Sequence, residues 1–242
     1  MEADSPMLST AATGGRNLTY GLLDSLGRAI VTGHYDARVF PTEADLAKQH
    51  GVSRSVTREA VKMLTAKGLL TARPRKGTTV QRPAHWNLFD ADVLRWLLER
   101  TFSLELLRQF TELRIAIEPA AAELAARAAD AAGIALIQAG YRRMEAAEVG
   151  EDDPLEADIT FHVAILAASA NPFYAQFRDV VETALRTSIR FTNRFKGRTA
   201  SLPQHREVLS AIEARDPEAA RAGMIALITD VMTLIDEAGK TG

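Results

Sequence analysis

Apolar residues fall into helical spacing along nearly the whole chain, with one short exception. Leu18, Leu22, Leu26 and Ile30 recur every four residues and predict an amphipathic helix over about 18–32, stopped by Gly33. A second helix is expected from Thr42, with Asp45 three residues on in capping-box spacing and Leu46 and Ala47 turned inward. Gly51 permits the left-handed backbone needed to leave that helix. Ser53 can then cap a third helix whose inner side is Val56, Ala60, Val61 and Leu64. The exception follows at once: Leu69–Arg73 and Thr78–Gln81 alternate like short strands around the turn Pro74-Arg75-Lys76-Gly77. Two short helices across a tight turn, then a hairpin, is the layout of a winged helix-turn-helix.

After Pro83 and the aromatic stretch His85-Trp86-Asn87-Leu88-Phe89 the alternation disappears. Helical patterns run over about 90–100, 104–129, 133–149, 154–168, 172–195, 203–214 and 217–238. Three of them open on a capping side chain followed by proline: Asp153-Pro154, Asn171-Pro172 and Asp216-Pro217. Pro119 lies inside the second pattern and is expected to kink or split it. The fold class is therefore mostly α: a winged helix-turn-helix of three helices and a two-stranded wing, followed by an all-α antiparallel bundle. The domain boundaries read as a disordered tail over 1–16, the winged domain over 17–82, a linker over 83–102 and the bundle over 103–238.

Charge changes this picture in one place. The net charge of −2 conceals a segment from Ser53 to Arg82 that holds eight basic residues against the single acidic Glu59. That local +7 on an otherwise acidic chain marks a region built for a polyanion. Within it, Arg54, Arg58 and Lys62 stand at i, i+4 and i+8 on another side of the third helix from its apolar face. A recognition helix carries such a stripe because its N-terminal residues enter the major groove, where arginine pairs both acceptors of guanine. A merely solvated basic face is the competing account of the charge; the helix-turn-helix pattern beside it favours DNA.

The segment FPTEADLAKQHGVSRSVTREAVKMLTAKGLL with RKGTTV resembles the DNA-binding domain of GntR-family transcription regulators. The resemblance implies that Ser53, Arg54, Ser55, Arg58 and Gly77 contact an operator in double-stranded DNA, and Lys62 and Lys76 extend that set from the charge pattern. One departure stands out: where the fatty-acid-responsive member has a DNA-contacting arginine in its second helix, this chain has Ala44.

The bundle carries candidate chemistry of its own. Asp158 and His162 lie one turn apart on or beside the stripe Leu155, Ile159, Val163 and Leu166, and His205 precedes Val208, Leu209 and Ile212. Arg114 flanks Phe110, Leu113 and Ile117, with Glu118 one turn later as a possible ion-pair partner. Ionisable groups on apolar faces must be paired or metal-bound. EADITFHVAILAASANPF and QHREVLSAIEARDPEAARAGM resemble the FCD effector domain of FadR-type members of the same family. That resemblance implies one divalent metal, zinc or similar, held by Asp158, His162 and His205. The fourth ligand position falls at Leu227, which cannot ligate, leaving either a three-ligand site completed by water or effector or a metal-free polar pocket. WNLFDADVLRWLLER further resembles the linker of the subgroup governing galactonate and related sugar-acid catabolism. By that likeness Arg114, Asp158 and His162 face the effector, joined by His205 and, on the helix after Pro172, by Thr183, Arg186 and Asn193; its carboxylate suits Arg114 or a metal, its hydroxyls the Asp, His, Thr and Asn side chains.

Composition adds exclusions. The chain has no cysteine, so thiol catalysis, disulfides and iron–sulfur clusters are out. It has no run of 18 apolar residues, and its start lacks a signal-peptide pattern, so no membrane association and a cytoplasmic location are expected. The expected protein is a homodimeric, ligand-responsive regulator, a repressor released by a small carboxylate. The alternative is a metal-dependent hydrolase or lyase fused to a DNA-binding module, since two histidines and an aspartate can activate water. No HExxH, P-loop or GxGxxG supports that alternative.

Overall fold

The computed structural model describes residues 10–73, 77–100, 103–195 and 201–241, with the side chains of 10–17, 73, 189–195 and 239–241 excepted. The chain divides into two compact units, Met1–Thr101 and Phe102–Gly242.

The first unit opens with α1 (Thr10–Val31), which begins eight residues earlier than its apolar spacing predicts. Residues 10–16, expected as part of a disordered tail, are helical, while residues 1–9 lie outside the described residues. The pattern starts late because TAATGGRN offers no apolar period, and Leu18 itself is exposed; the buried face is Leu22, Leu23, Leu26 and Ile30. Helix α2 (Glu43–His50) has Thr42 as its cap in a complete capping box with Asp45, and Gly51 closes it at φ 63°. Helix α3 (Arg54–Ala66) is capped by Ser53, whose hydroxyl accepts from the Val56 amide. Its inner face, Thr57, Ala60, Val61 and Leu64, is buried. The wing is the antiparallel pair β1 (Leu70–Arg73) and β2 (Gly77–Val80), in register Leu70 to Val80 and Arg73 to Gly77. Gly77, expected in the turn, is the first residue of β2, and residues 74–76 lie outside the described residues.

The stretch expected as a linker is part of this unit. A single 3-10 turn (Pro83–His85) leads to α4 (Ala91–Leu97), which packs on α1. The physical reason is apolar content: Trp86, Val93, Leu94, Trp96 and Leu97 are all buried. The Trp96 indole N–H donates to Asp24 Oδ1 at 2.8 Å, and Arg95 reaches the same oxygen at 2.7 Å. Lys67, at the C-terminus of α3, is bound by Asp90 at 2.8 Å and Asp92 at 2.9 Å. Burial lowers the Lys67 pKa, but those two carboxylates outweigh it and hold the ammonium above the ordinary lysine value. Gly27 on α1 admits the Trp96 ring, since a Cβ there would stand 2.2 Å from the ring edge. Gly27→Val should therefore destabilise this unit by about 3 kcal/mol, the upper end of overpacking costs. Both tryptophans of the chain, Trp86 and Trp96, lie here, so urea unfolding followed by their fluorescence reads the unit directly. An unchanged midpoint would show that Trp96 is not seated against Gly27.

The second unit is all helical among its described residues: α5 (Leu104–Ala128), α6 (Ala131–Glu148), α7 (Pro154–Ala168), α8 (Pro172–Ala175), α9 (Arg178–Phe195), α10 (Leu202–Glu213) and α11 (Pro217–Thr241). All three Asx-Pro starts are realised. Asp153 accepts from the Glu156 amide, Asn171 from Phe173 and Asp216 from Ala219. Two expectations are corrected. Helix α5 is not split at Pro119, which lies buried within one continuous helix. The pattern over 172–195 is two helices, with a one-turn α8 ahead of α9. Helix α7 packs against α5, α6 and α9 and is apolar nearly all round, as suits the innermost helix of a bundle. Its buried polar residues are therefore conspicuous. Among the described residues no helix is long and apolar enough to cross a membrane.

Candidate functional site: a buried Arg–Glu–His–Asp–His cluster and a basic helix face

Five ionisable side chains meet in the interior of the bundle: Arg114 and Glu118 from α5, Asp158 and His162 from α7, and His205 from α10. Each is at least 96% buried. The family resemblance assigns four of them to the site, and helical spacing offers Glu118 only as a neighbour of Arg114. The structure makes Glu118 the bridge: its Oε1 accepts from Arg114 Nε at 2.5 Å, and its Oε2 accepts from His162 Nδ1. The i, i+4 spacing to Arg114 is the only signal in the sequence; the contact with His162 spans 44 residues.

The proton positions follow from the partners. His205 Nδ1 lies 2.8 Å from the Ser201 carbonyl oxygen, which can only accept, so that nitrogen carries the hydrogen. His162 Nδ1 faces a carboxylate and carries its hydrogen likewise. In each neutral ring the Nε2 is then a lone pair. Both lone pairs turn toward Asp158 Oδ1, His205 Nε2 at 3.0 Å and His162 Nε2 at 3.7 Å. None of these three buried atoms makes a hydrogen bond, and Arg114 Nη2 is also buried without a partner. Burial raises the pKa of Asp158, but His205 and His162, when protonated, and the Arg114 guanidinium outweigh that and hold the carboxyl at about 2. Glu118 behaves alike: burial pushes it up, Arg114 and His162 pull it further down, to about 2. With both imidazoles neutral, two carboxylates against one guanidinium leave a negative charge in the buried interior, with two imidazole lone pairs aimed at it.

Such a donor set fits a divalent cation. Ligand atoms of Asp158, His162 and His205 all lie within 4.8 Å of one another. Each histidine is oriented through its other nitrogen by a carboxylate or a carbonyl, as metal-ligating histidines are. Leu227 is buried among Met224 and Ile228 in the bundle core. Of the other expected effector residues, Thr183 is buried, its hydroxyl donating to the Asp179 carbonyl. Arg186 is not brought to the cluster: Glu156 and Glu182 engage its Nε, Nη1 and Nη2 between them. The side chain of Asn193 lies outside the described residues.

On the first unit, Ser53, Arg54, Ser55, Arg58 and Lys62 are all exposed and share the outer side of α3 and its cap. Ser53 and Ser55 hydroxyls are 2.8 Å apart. Arg58 and Lys62 make only loose, exposed ion pairs, with Glu43 and Glu59 at 3.6 Å. Gly77 opens β2, while Lys76 lies outside the described residues.

A winged helix-turn-helix with a free basic helix face, carried on one chain with an all-helical bundle, defines a DNA-binding transcription regulator. Residues 20–80 match the bacterial regulatory proteins of the gntR family and residues 109–230 match the FCD domain, so the chain belongs to the GntR family, in its FadR-type, FCD-bearing branch. It is 32% identical over 226 residues to the HTH-type transcriptional regulator YieP of Escherichia coli (strain K12), covering 92% of this chain and 97% of that one. It is 31% identical over 217 residues to the galactonate operon transcriptional repressor of the same organism, covering 88% and 94%. The solved structure of E. coli McbR/YncC shares the fold, with a TM-score of 0.51 at 17% identity over 96% of this chain and 99% of that one. These relatives are regulators, and the chain is a regulator rather than an enzyme.

Proposed function

We propose that the protein represses a catabolic operon for a small carboxylate, a sugar acid of the galactonate type, and leaves its operator when that acid enters the bundle. The observation that carries the reading is the convergence of four buried polar atoms without a hydrogen bond, Arg114 Nη2, Asp158 Oδ1, His162 Nε2 and His205 Nε2, the last standing 3.0 Å from Asp158 Oδ1. Buried polar atoms left unpaired are costly, so such a group signals a ligand. Asp158, His162 and His205 would hold one divalent cation, which supplies a Lewis-acid anchor for an oxygen anion. Arg114 Nη2 offers the effector carboxylate a charge-assisted hydrogen bond. The hydroxyl of Thr183 keeps acceptor capacity for a sugar hydroxyl. The similarity to the galactonate repressor, and to a putative L-lactate dehydrogenase operon regulatory protein of Escherichia coli (strain K12) at 32% identity over 205 residues, supports a hydroxy acid.

On the DNA side, Ser53, Arg54, Ser55, Arg58, Lys62, Lys76 and Gly77 would form the operator surface. A homodimer in the cytoplasm would place two such surfaces on a pseudo-palindrome. The test is a thermal-shift screen of sugar acids and C2–C6 monocarboxylates, with and without zinc. An effector at about a hundred times its Kd stabilises the folded state by about 2.7 kcal/mol. The same acid must release the protein from DNA in a gel shift and be recovered unchanged. If neither zinc nor any acid moves the melting transition, the reading fails.

A further inference from the structure

We propose that Glu118 is the positioning residue of this buried site, aiming the Nε2 of His162 and the free Nη2 of Arg114 with a single carboxylate. The proposal rests on the reading of the cluster as a cation and carboxylate site. Glu118 lies on α5, His162 on α7, and the Glu118 side chain is 1% exposed, out of reach of bulk solvent. Two N–H donors converge on it, Arg114 Nε on one oxygen and His162 Nδ1 on the other. Only a carboxylate accepts both; a carboxamide has one acceptor oxygen and would set its NH2 against the second donor.

The two histidines are aimed by different means. His205 takes a backbone carbonyl, that of Ser201, which no side-chain substitution removes. Among the described residues, His162 Nδ1 bonds Glu118 alone. With its Nδ1 hydrogen spent on Glu118, its lone pair must stand at Nε2, toward Asp158 and His205. Because Arg114 is held through Nε, the end of its guanidinium is left over, and Nη2 is the atom without a partner. One residue thus sets both the cation half and the carboxylate half of the site.

The experiment titrates zinc alone into the metal-stripped full chain, read by competition with a chelating dye, in wild type and Glu118→Gln. Loss of an outer partner of a metal-bound histidine should weaken zinc binding by about ten- to a hundred-fold. In parallel, 15N NMR of the metal-free protein reads the His162 tautomer: Nδ1–H in wild type, mixed in Glu118→Gln. Should Glu118→Gln fail to fold, the paired change Arg114→Met with Glu118→Leu removes both charges, a replacement that buried ion pairs often tolerate. If Glu118 merely neutralises Arg114, the paired variant binds zinc as wild type does. If Glu118 positions His162, that variant shows the same loss and no longer favours Nδ1–H. Unchanged zinc affinity in either folded variant overturns the proposal. If wild type takes up no zinc, the cation reading of the site falls, and the tautomer decides Glu118 by itself. Nδ1–H in wild type but not in the variants supports its role, and Nε2–H in wild type overturns it.

Discussion

Operator affinity should fall by about thirty- to twenty-thousand-fold when Arg54 or Arg58 is replaced by alanine, with the bundle unaffected. Both side chains are exposed on the first two turns of α3, the part of a recognition helix that reaches base edges. A base-reading arginine is worth about 1–3 kcal/mol of discrimination, and a two-fold dimer loses it twice, about 2–6 kcal/mol in all. The ion pair of Arg58 with Glu43 does not stand in the way. At 3.6 Å and two-thirds exposed it contributes about 0–1 kcal/mol and is readily exchanged for DNA. Lys62→Ala should act differently, weakening all sequences alike and flattening the salt dependence by about one unit of slope for each phosphate the dimer no longer neutralises. Gel shifts on a cognate and a scrambled site across salt concentrations separate the two. Undiminished specific binding in both arginine variants would remove α3 as the reading element.

Arg114→Ala should cost the second unit about 3–5 kcal/mol, the usual penalty for breaking a buried ion pair from one side. Glu118 would keep His162 as its one remaining donor, at full burial, with its other oxygen bare. Arg114→Lys separates stability from sensing. An ammonium can neutralise Glu118, but it is a single nitrogen and cannot also present the second one that the guanidinium fork leaves free. The lysine variant should melt closer to wild type and bind operator normally, yet no longer release it with the acid. Urea unfolding and ligand-dependent gel shifts measure the two properties on the same preparations. A lysine variant that melts near wild type and responds normally would confine Arg114 to a structural role.

Much of the architecture is legible in the sequence because its signals are local. A capping side chain beside a proline states a helix start within two residues, and all three such starts hold. The Thr42–Asp45 box and the Ser53 cap are equally short-range. Where sequence and structure part, tertiary packing outweighs local preference. Pro119 lacks an amide hydrogen, but it lies in the bundle core, where burial keeps α5 continuous through it. The break between α8 and α9 falls at Gln176-Phe177, with neither glycine nor proline to announce it. For the site, helical spacing puts Asp158 beside His162. Nothing in spacing could bring Glu118 across to His162, or surrender Arg186 to Glu156, 30 residues away. The trio of Asp158, His162 and His205 is legible through the family resemblance; its link to Glu118 is not.

The seating of Trp96 against Gly27 also decides where the DNA-reading module can be cut. A fragment ending at residue 82 would match the span of the winged domain in sequence, yet it would strip a fully buried indole from α1 and leave Asp24 and Lys67 without partners they now hold. The transplantable unit runs through α4. Fusions to a foreign sensor should join at about residue 101, where the first compact unit ends, and a junction at 82 should give a reading head with an open apolar groove along its first helix.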